Sequence, residues 1–106
     1  MTMTIEELEF TTLEIVAYAG DARSKYIQAL DFANEGNFDE AEKLIKEASE
    51  FIDEAHKTQT KMIQMEASGE SVDMSFLLAH AQDHLMTVML LRDIVNNFIK
   101  IYKKIN

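Results

Sequence analysis

Proline is absent from the 106 residues, and glycine occurs only three times, at 20, 36 and 69. These are the residue types that punctuate local structure most strongly, so a chain with so few of them has few turns and long elements. Two breaks stand out, Asn34-Glu35-Gly36-Asn37 and Ala67-Ser68-Gly69-Glu70, each with a glycine where a helix C-terminus takes a left-handed residue. The three segments they leave each run to roughly thirty residues or a little more.

The periodicity of the segments is helical. In the first, Ile5, Leu8, Ile15, Val16, Ala19, Ala22, Tyr26, Ala29, Leu30 and Ala33 step by threes and fours, with Thr12 filling a gap. In the second, Phe38, Ala41, Leu44, Ile45, Ala48, Phe51, Ile52, Ala55, Met62 and Ile63 do the same, interrupted by Gln59, and Glu and Lys pairs lace the opposite face. Helix-start chemistry agrees: Thr4 precedes Glu7 and Asn37 precedes Glu40 at the capping-box spacing, and Ser71 or Asp73 can cap the third segment. The pattern predicts an all-α domain over residues 1–106, an antiparallel three-helix bundle with helices over about 4–35, 38–67 and 72–104, each on the order of 45 Å long.

Charge and composition narrow the function. Ten Lys and Arg against nineteen Asp and Glu leave a net charge of −9, which repels nucleic acid and anionic membrane at long range. No cysteine is present, so thiolate metal sites, disulfides and cysteine nucleophiles are excluded. The first ten residues carry Glu6, Glu7 and Glu9 and lack both a basic start and an apolar run, so no secretory signal is read there and a cytoplasmic location is expected. Acidity is confined to the first two segments. Residues 1–36 hold seven acidic against two basic residues, residues 37–69 eight against four, and residues 70–106 four of each.

The third segment is the unusual one. Between Met74 and Leu91 the single full charge is Asp83. A membrane span is excluded, because His80, Gln82, Asp83 and His84 fall at its centre, where hydrocarbon would penalise them most. Phe76, Leu77, Leu78, Leu85, Met86, Val88, Met89, Leu90 and Leu91 occupy nearly every direction around the axis, more than two companion helices can cover. Self-association through this helix is the expectation. Phe76, Asp83, Leu90 and Asn97 at a seven-residue step, interleaved with Ala79 or His80, Met86 or Thr87, and Ile94, form its seam.

The chemistry gathers at residues 80 to 84. On a helix of about 100° per residue, His80 and His84 lie about 40° apart and Asp83 about 60° to the other side of His80. A buried carboxylate costs several kcal/mol unless it is neutralised, so Asp83 requires compensation. An imidazolium partner, protonation, identical carboxylates meeting on a symmetry axis around a hard cation, or a His-x-x-x-His transition-metal site within one chain would each supply it.

At His80-Ala81-Gln82-Asp83-His84-Leu85-Met86 the sequence resembles the lactose/cellobiose (chitobiose) family of phosphotransferase-system enzyme IIA components. Gly20-Asp21-Ala22-Arg23-Ser24 resembles that family's G-x-A-R-S, and Ala55-His56-Lys57-Thr58-Gln59-Thr60-Lys61-Met62-Ile63 its A-H-x-x-Q-T-x-L-I, with Met62 in place of the leucine. The resemblance covers essentially the whole chain. It implies a homotrimer of three-helix subunits, in which the histidine matching His80 takes a phosphoryl group from the phosphorylated histidine-containing phosphocarrier protein. It further implies transfer to a cysteine of the IIB component and thence to a disaccharide carried by the membrane-embedded IIC component. Asp83 matches the aspartate whose three copies hold a divalent cation on the trimer axis, usually assigned as magnesium.

Gln82 and His84 are candidate accessory residues around the phosphoryl oxygens. His84 is well placed, whereas Gln82 lies about 160° from His80 on a regular helix, where a packing role fits better. Arg23 and His56 are expected to be structural. Gly20, which costs about 1 kcal/mol in a helix interior, is expected to mark the close approach of another helix. The competing reading is a metal-binding helical scaffold or adaptor without covalent chemistry, in which His80, Asp83 and His84 are all ligands.

Overall fold

The computed structural model describes residues 3–105. They form three helices of thirty residues each: α1 (Ile5–Asn34), α2 (Phe38–Ala67) and α3 (Phe76–Ile105). The bundle measures 52 × 21 × 19 Å, long and slim. Its core explains the slimness, because eight of the seventeen buried apolar residues among those described are alanines, which let helix backbones approach closely. Tyr26, Ile15, Ile52, Leu85, Val88 and Val95 supply the bulk. Full burial of a side chain such as Leu85 is worth about 2 kcal/mol.

Both turns are built the same way. Gly36 (φ 82°) donates to the Ala33 carbonyl at 3.0 Å and Asn37 to that of Phe32 at 2.9 Å. Gly69 (φ 97°) donates to Glu66 at 3.1 Å and Glu70 to Met65 at 3.1 Å. These paired bonds satisfy the last carbonyls of α1 and α2 around a left-handed residue that only glycine adopts without strain. Asn37 then caps the next helix, its Oδ1 accepting from the Glu40 N–H at 3.3 Å, as Thr4 Oγ1 accepts from Glu7 at 3.1 Å.

The start of α3 differs from the expected position. Neither Ser71 nor Asp73 caps it. Ser75 does so, with its Oγ accepting from the Leu78 N–H at 3.0 Å, and the helix opens at Phe76 rather than near 72. Val72 is packed against the core, which holds the preceding residues in a non-helical connector.

Contacts fix the directions. Tyr18 stacks on Phe51 (centroids 5.5 Å apart), and Lys25 pairs with Glu47 at 3.5 Å, so α1 and α2 are antiparallel. Gln59 with Gln82, Asp53 with Arg92 and Glu42 with Lys103 make α2 and α3 antiparallel as well. Hence α1 and α3 are parallel, and Leu8 and Thr12 stand level with Leu77 at the end of the bundle that carries residues 80 to 84.

The all-round apolar character of α3 has a definite layout. Leu78, Ala81, Leu85, Val88, Val95 and Ile99 face the core, while Phe76, Leu90, Ile94, Phe98 and Ile101 remain exposed along the opposite side. Gly20 departs from expectation. A Cβ built there meets nothing within 4 Å, so no helix of this chain approaches it.

Candidate functional site

Residues 80 to 84 occupy the second turn of α3, which Ser75 and the backbone bond from Ala79 N–H to the Ser75 carbonyl anchor immediately upstream. Alternation of buried and exposed positions then distributes the side chains. Ala81 and Leu85 are buried and hold the helix to the core, His80 and Asp83 are exposed, and Gln82 and His84 are half-buried. The sequence spacing thus brings His80 and His84 together, their rings meeting edge to face with centroids 4.5 Å apart and an interplanar angle of 79°. Among the described residues no hydrogen bond occupies either nitrogen of His80. An imidazole in this setting is open to solvent and available as a nucleophile.

Asp83 sits on the exposed stripe of α3 defined by Phe76, Leu90, Ile94 and Ile101, on the opposite side of His80 from His84. Among the described residues no group of three His, Cys, Asp or Glu side chains comes together to hold a metal. The one-chain site of His80, Asp83 and His84, on which the scaffold reading depended, is therefore not formed. Asp83 is a lone exposed carboxylate on the outward apolar stripe, a hard oxygen ligand that cannot by itself complete a cation site.

Gln82 does not approach His80. Its Oε1 accepts from Gln59 Nε2 at 2.6 Å across the α2–α3 seam, on the far side of the helix from His80. Gln59 is the residue to which sequence reasoning assigns no role. It interrupts the apolar pattern and is the glutamine of the A-H-x-x-Q-T stretch, and in the fold it is 7% exposed and bonded. A polar residue at a core register position is the signal that could have found it.

The other candidates lie elsewhere. Arg23 is exposed and eleven residues past Thr12, roughly 12 Å or more along the bundle from the level of His80, and among the described residues it makes no ion pair. His56 is exposed on α2. Of the methionines near the site, Met74 and Met86 are 69% and 53% exposed. No described helix is long and apolar enough to cross a membrane.

The bundle thus presents an exposed His80 with a half-buried His84 beside it near one end of its last helix. The family model described as "PTS system, Lactose/Cellobiose specific IIA subunit" matches residues 10–103, and the chain belongs to that family. It is 49% identical over 102 residues to the PTS system lactose-specific EIIA component of Staphylococcus epidermidis, covering 96% of this chain and 98% of that protein. Among solved structures it is similar to the PTS cellobiose-specific enzyme IIA from Bacillus anthracis (TM-score 0.88, 41% identity, covering 98% of this chain and 94% of that one). It is also similar to the IIA(chitobiose) of the N,N'-diacetylchitobiose branch of the Escherichia coli phosphotransferase system, solved in complex with HPr (TM-score 0.78, 34% identity, covering 93% and 96%).

Proposed function

We propose that this IIA subunit carries the phosphoryl group on His80. A lone pair of the neutral His80 imidazole attacks phosphorus on the phosphohistidine of the phosphocarrier protein. The donor P–N bond breaks, its electron pair returns to the donor ring, and a new P–N bond forms on His80. A cysteine thiolate of the IIB component then attacks the same phosphorus, so that a P–S bond replaces the P–N bond and His80 regains its lone pair. Each step exchanges one bond to phosphorus for another without hydrolysis, and the protein's task is to position the ring. The observation that carries this reading is an exposed His80 with no hydrogen bond occupying its ring nitrogens. The structural similarity to a IIA solved with HPr supports the phosphocarrier as donor.

His84, in edge contact with His80, would donate to the phosphoryl oxygens. The substrate route served is import of a lactose-, cellobiose- or chitobiose-type disaccharide through IIB and the membrane IIC component, with this subunit working in the cytoplasm.

The assembly is a homotrimer closed through the exposed stripe of α3. Leu90, Ile94 and Ile101, exposed by 60%, 40% and 52%, are the surface that self-association would bury. Asp83 lies on that stripe, and its three copies would hold a divalent cation, magnesium by preference, whose charge offsets their mutual repulsion. His80 is turned about 60° from Asp83 around the helix, which leaves it at the flank of such an interface rather than inside it.

Incubation with the phosphorylated phosphocarrier, followed by intact mass, tests the reading. An acid-labile gain of one phosphoryl group, lost in His80→Ala and kept in His56→Ala, is expected, and phosphate on another residue would overturn it.

A further inference from the structure

Gln59 and Gln82 lie twenty-three residues apart in sequence, and they meet in one hydrogen bond of 2.6 Å between α2 and α3, with Met86 Sδ 3.5 Å from the same Gln59 nitrogen. We propose that this bond is a rotational latch: it fixes the turn of α3 about its own axis so that His80 faces the donor, and makes both glutamines positioning residues for phosphoryl transfer. The proposal rests on the carrier reading of His80.

Leu78, Ala81 and Leu85 seat α3 in the core at this level, and the loosely packed side of the helix is its seam with α2. The α2–α3 pairing is the sparsest of the three, and beside the site the two helices part around an opening of about 130 Å³ lined by Ile63, Val72, Met74 and both glutamines. The other polar ties between these helices, Asp53 with Arg92 and Glu42 with Lys103, stand further down the bundle and reach out to exposed carboxylates, where ion pairs hold little. The glutamine bond is partly buried, and its lower local dielectric strengthens it. It pulls from the side of α3 roughly opposite His80, so it acts on the nucleophile through the helix and not through the phosphoryl group. The lever is short. A turn of about 10° moves a side-chain tip at about 6 Å from the helix axis by about 1 Å, a displacement able to slow transfer by about a hundredfold.

The test is the rate of phosphoryl transfer from the phosphorylated phosphocarrier to His80 in wild type, Gln59→Met, Gln82→Met, the double variant and Gln82→Glu, with melting temperature measured alongside. Methionine keeps the length of the side chain and the volume of the seam while removing the bond. Each single Met variant is expected to lower kcat about tenfold or more while leaving the KM for the phosphocarrier within about twofold. The double variant is expected to be no slower than the slower single one, because one missing partner already opens the latch. Gln82→Glu still accepts from Gln59 and is expected to retain most of the rate. A wild-type rate in Gln59→Met overturns the latch. So does a greater loss in Gln82→Glu than in Gln82→Met, which would place the Gln82 amide against the phosphoryl oxygens, and so does a rate loss that vanishes when the variants are assayed well below their melting temperatures. Failure of the carrier reading is separately visible, since wild type itself would then take up no acid-labile phosphate at His80.

Discussion

The hydroxyls of Tyr26 on α1 and Ser49 on α2 lie 2.9 Å apart in a hydrogen bond, with the tyrosine fully buried at the middle of the bundle. Burial pushes the phenol above its usual 10.0, against the opposing pull of Ser49 and the nearby Arg92 charge. Because the folded value exceeds the unfolded one, the folded chain holds this proton more tightly. Its contribution to stability is intact below about pH 10 and drains away as the pH rises past that point toward the folded value. Tyr26→Phe is expected to cost about 1 kcal/mol at neutral pH and to flatten the alkaline decline, as read by thermal unfolding at about pH 8 and about pH 11.

Ser75 and the two turn glycines set helix boundaries, and each has a separable cost. Ser75→Ala is expected to lose about 1 kcal/mol, whereas Ser71→Ala stays within about 0.5 kcal/mol, because Ser71 caps nothing. Gly36→Ala forces a Cβ into φ 82° and is expected to lose about 1 kcal/mol or more. Chemical denaturation midpoints rank the three, and equal effects of Ser71→Ala and Ser75→Ala would contradict the observed start of α3.

Gly20 is open on its Cβ side, so alanine there gains helix propensity without meeting an obstacle. Gly20→Ala is expected to stabilise the chain by about 0.5–1 kcal/mol in denaturant titrations. A loss of stability instead would mean that a second copy presses its backbone against this position.

Self-association is tested on the outward stripe of α3. Leu90→Lys combined with Ile94→Lys is expected to give a monomeric mass by light scattering with helical circular dichroism retained, since both side chains face away from the chain's own core. In the proposed trimer, Asp83→Leu is expected to leave the assembly intact or firmer, because three carboxylates gathered on its axis would cost several kcal/mol that packing would recover. Dissociation of Asp83→Leu would show that the carboxylates and their cation are what hold the copies together.

Local chemistry was the legible part of this chain. Gly36 and Gly69 mark the turns, and Thr4 and Asn37 mark helix starts, because each acts within a few residues of itself. Ser71, Asp73 and Ser75 are all competent caps, and tertiary packing of Val72 decides among them, so the start of α3 could not be read from capping rules alone. The same holds at the site. Helical spacing places His80 beside His84, but only the fold reveals that Gln82 spends its carbonyl on Gln59, because the register between α2 and α3 is a property of the whole bundle. Gly20 is the converse case: an energetic cost in a helix signals that some reason exists without saying where it lies, and no helix of this chain supplies it.

The parallel course of α1 and α3 has a practical side for anyone joining cargo to this chain. Ile105 lies twenty-five residues beyond His80, about 38 Å along the helix, so a fluorescent reporter, affinity handle or surface tether attached there hangs from the far pole and leaves incoming proteins an unobstructed approach. The same cargo placed ahead of Ile5 sits beside the end that carries His80 and competes with them for space.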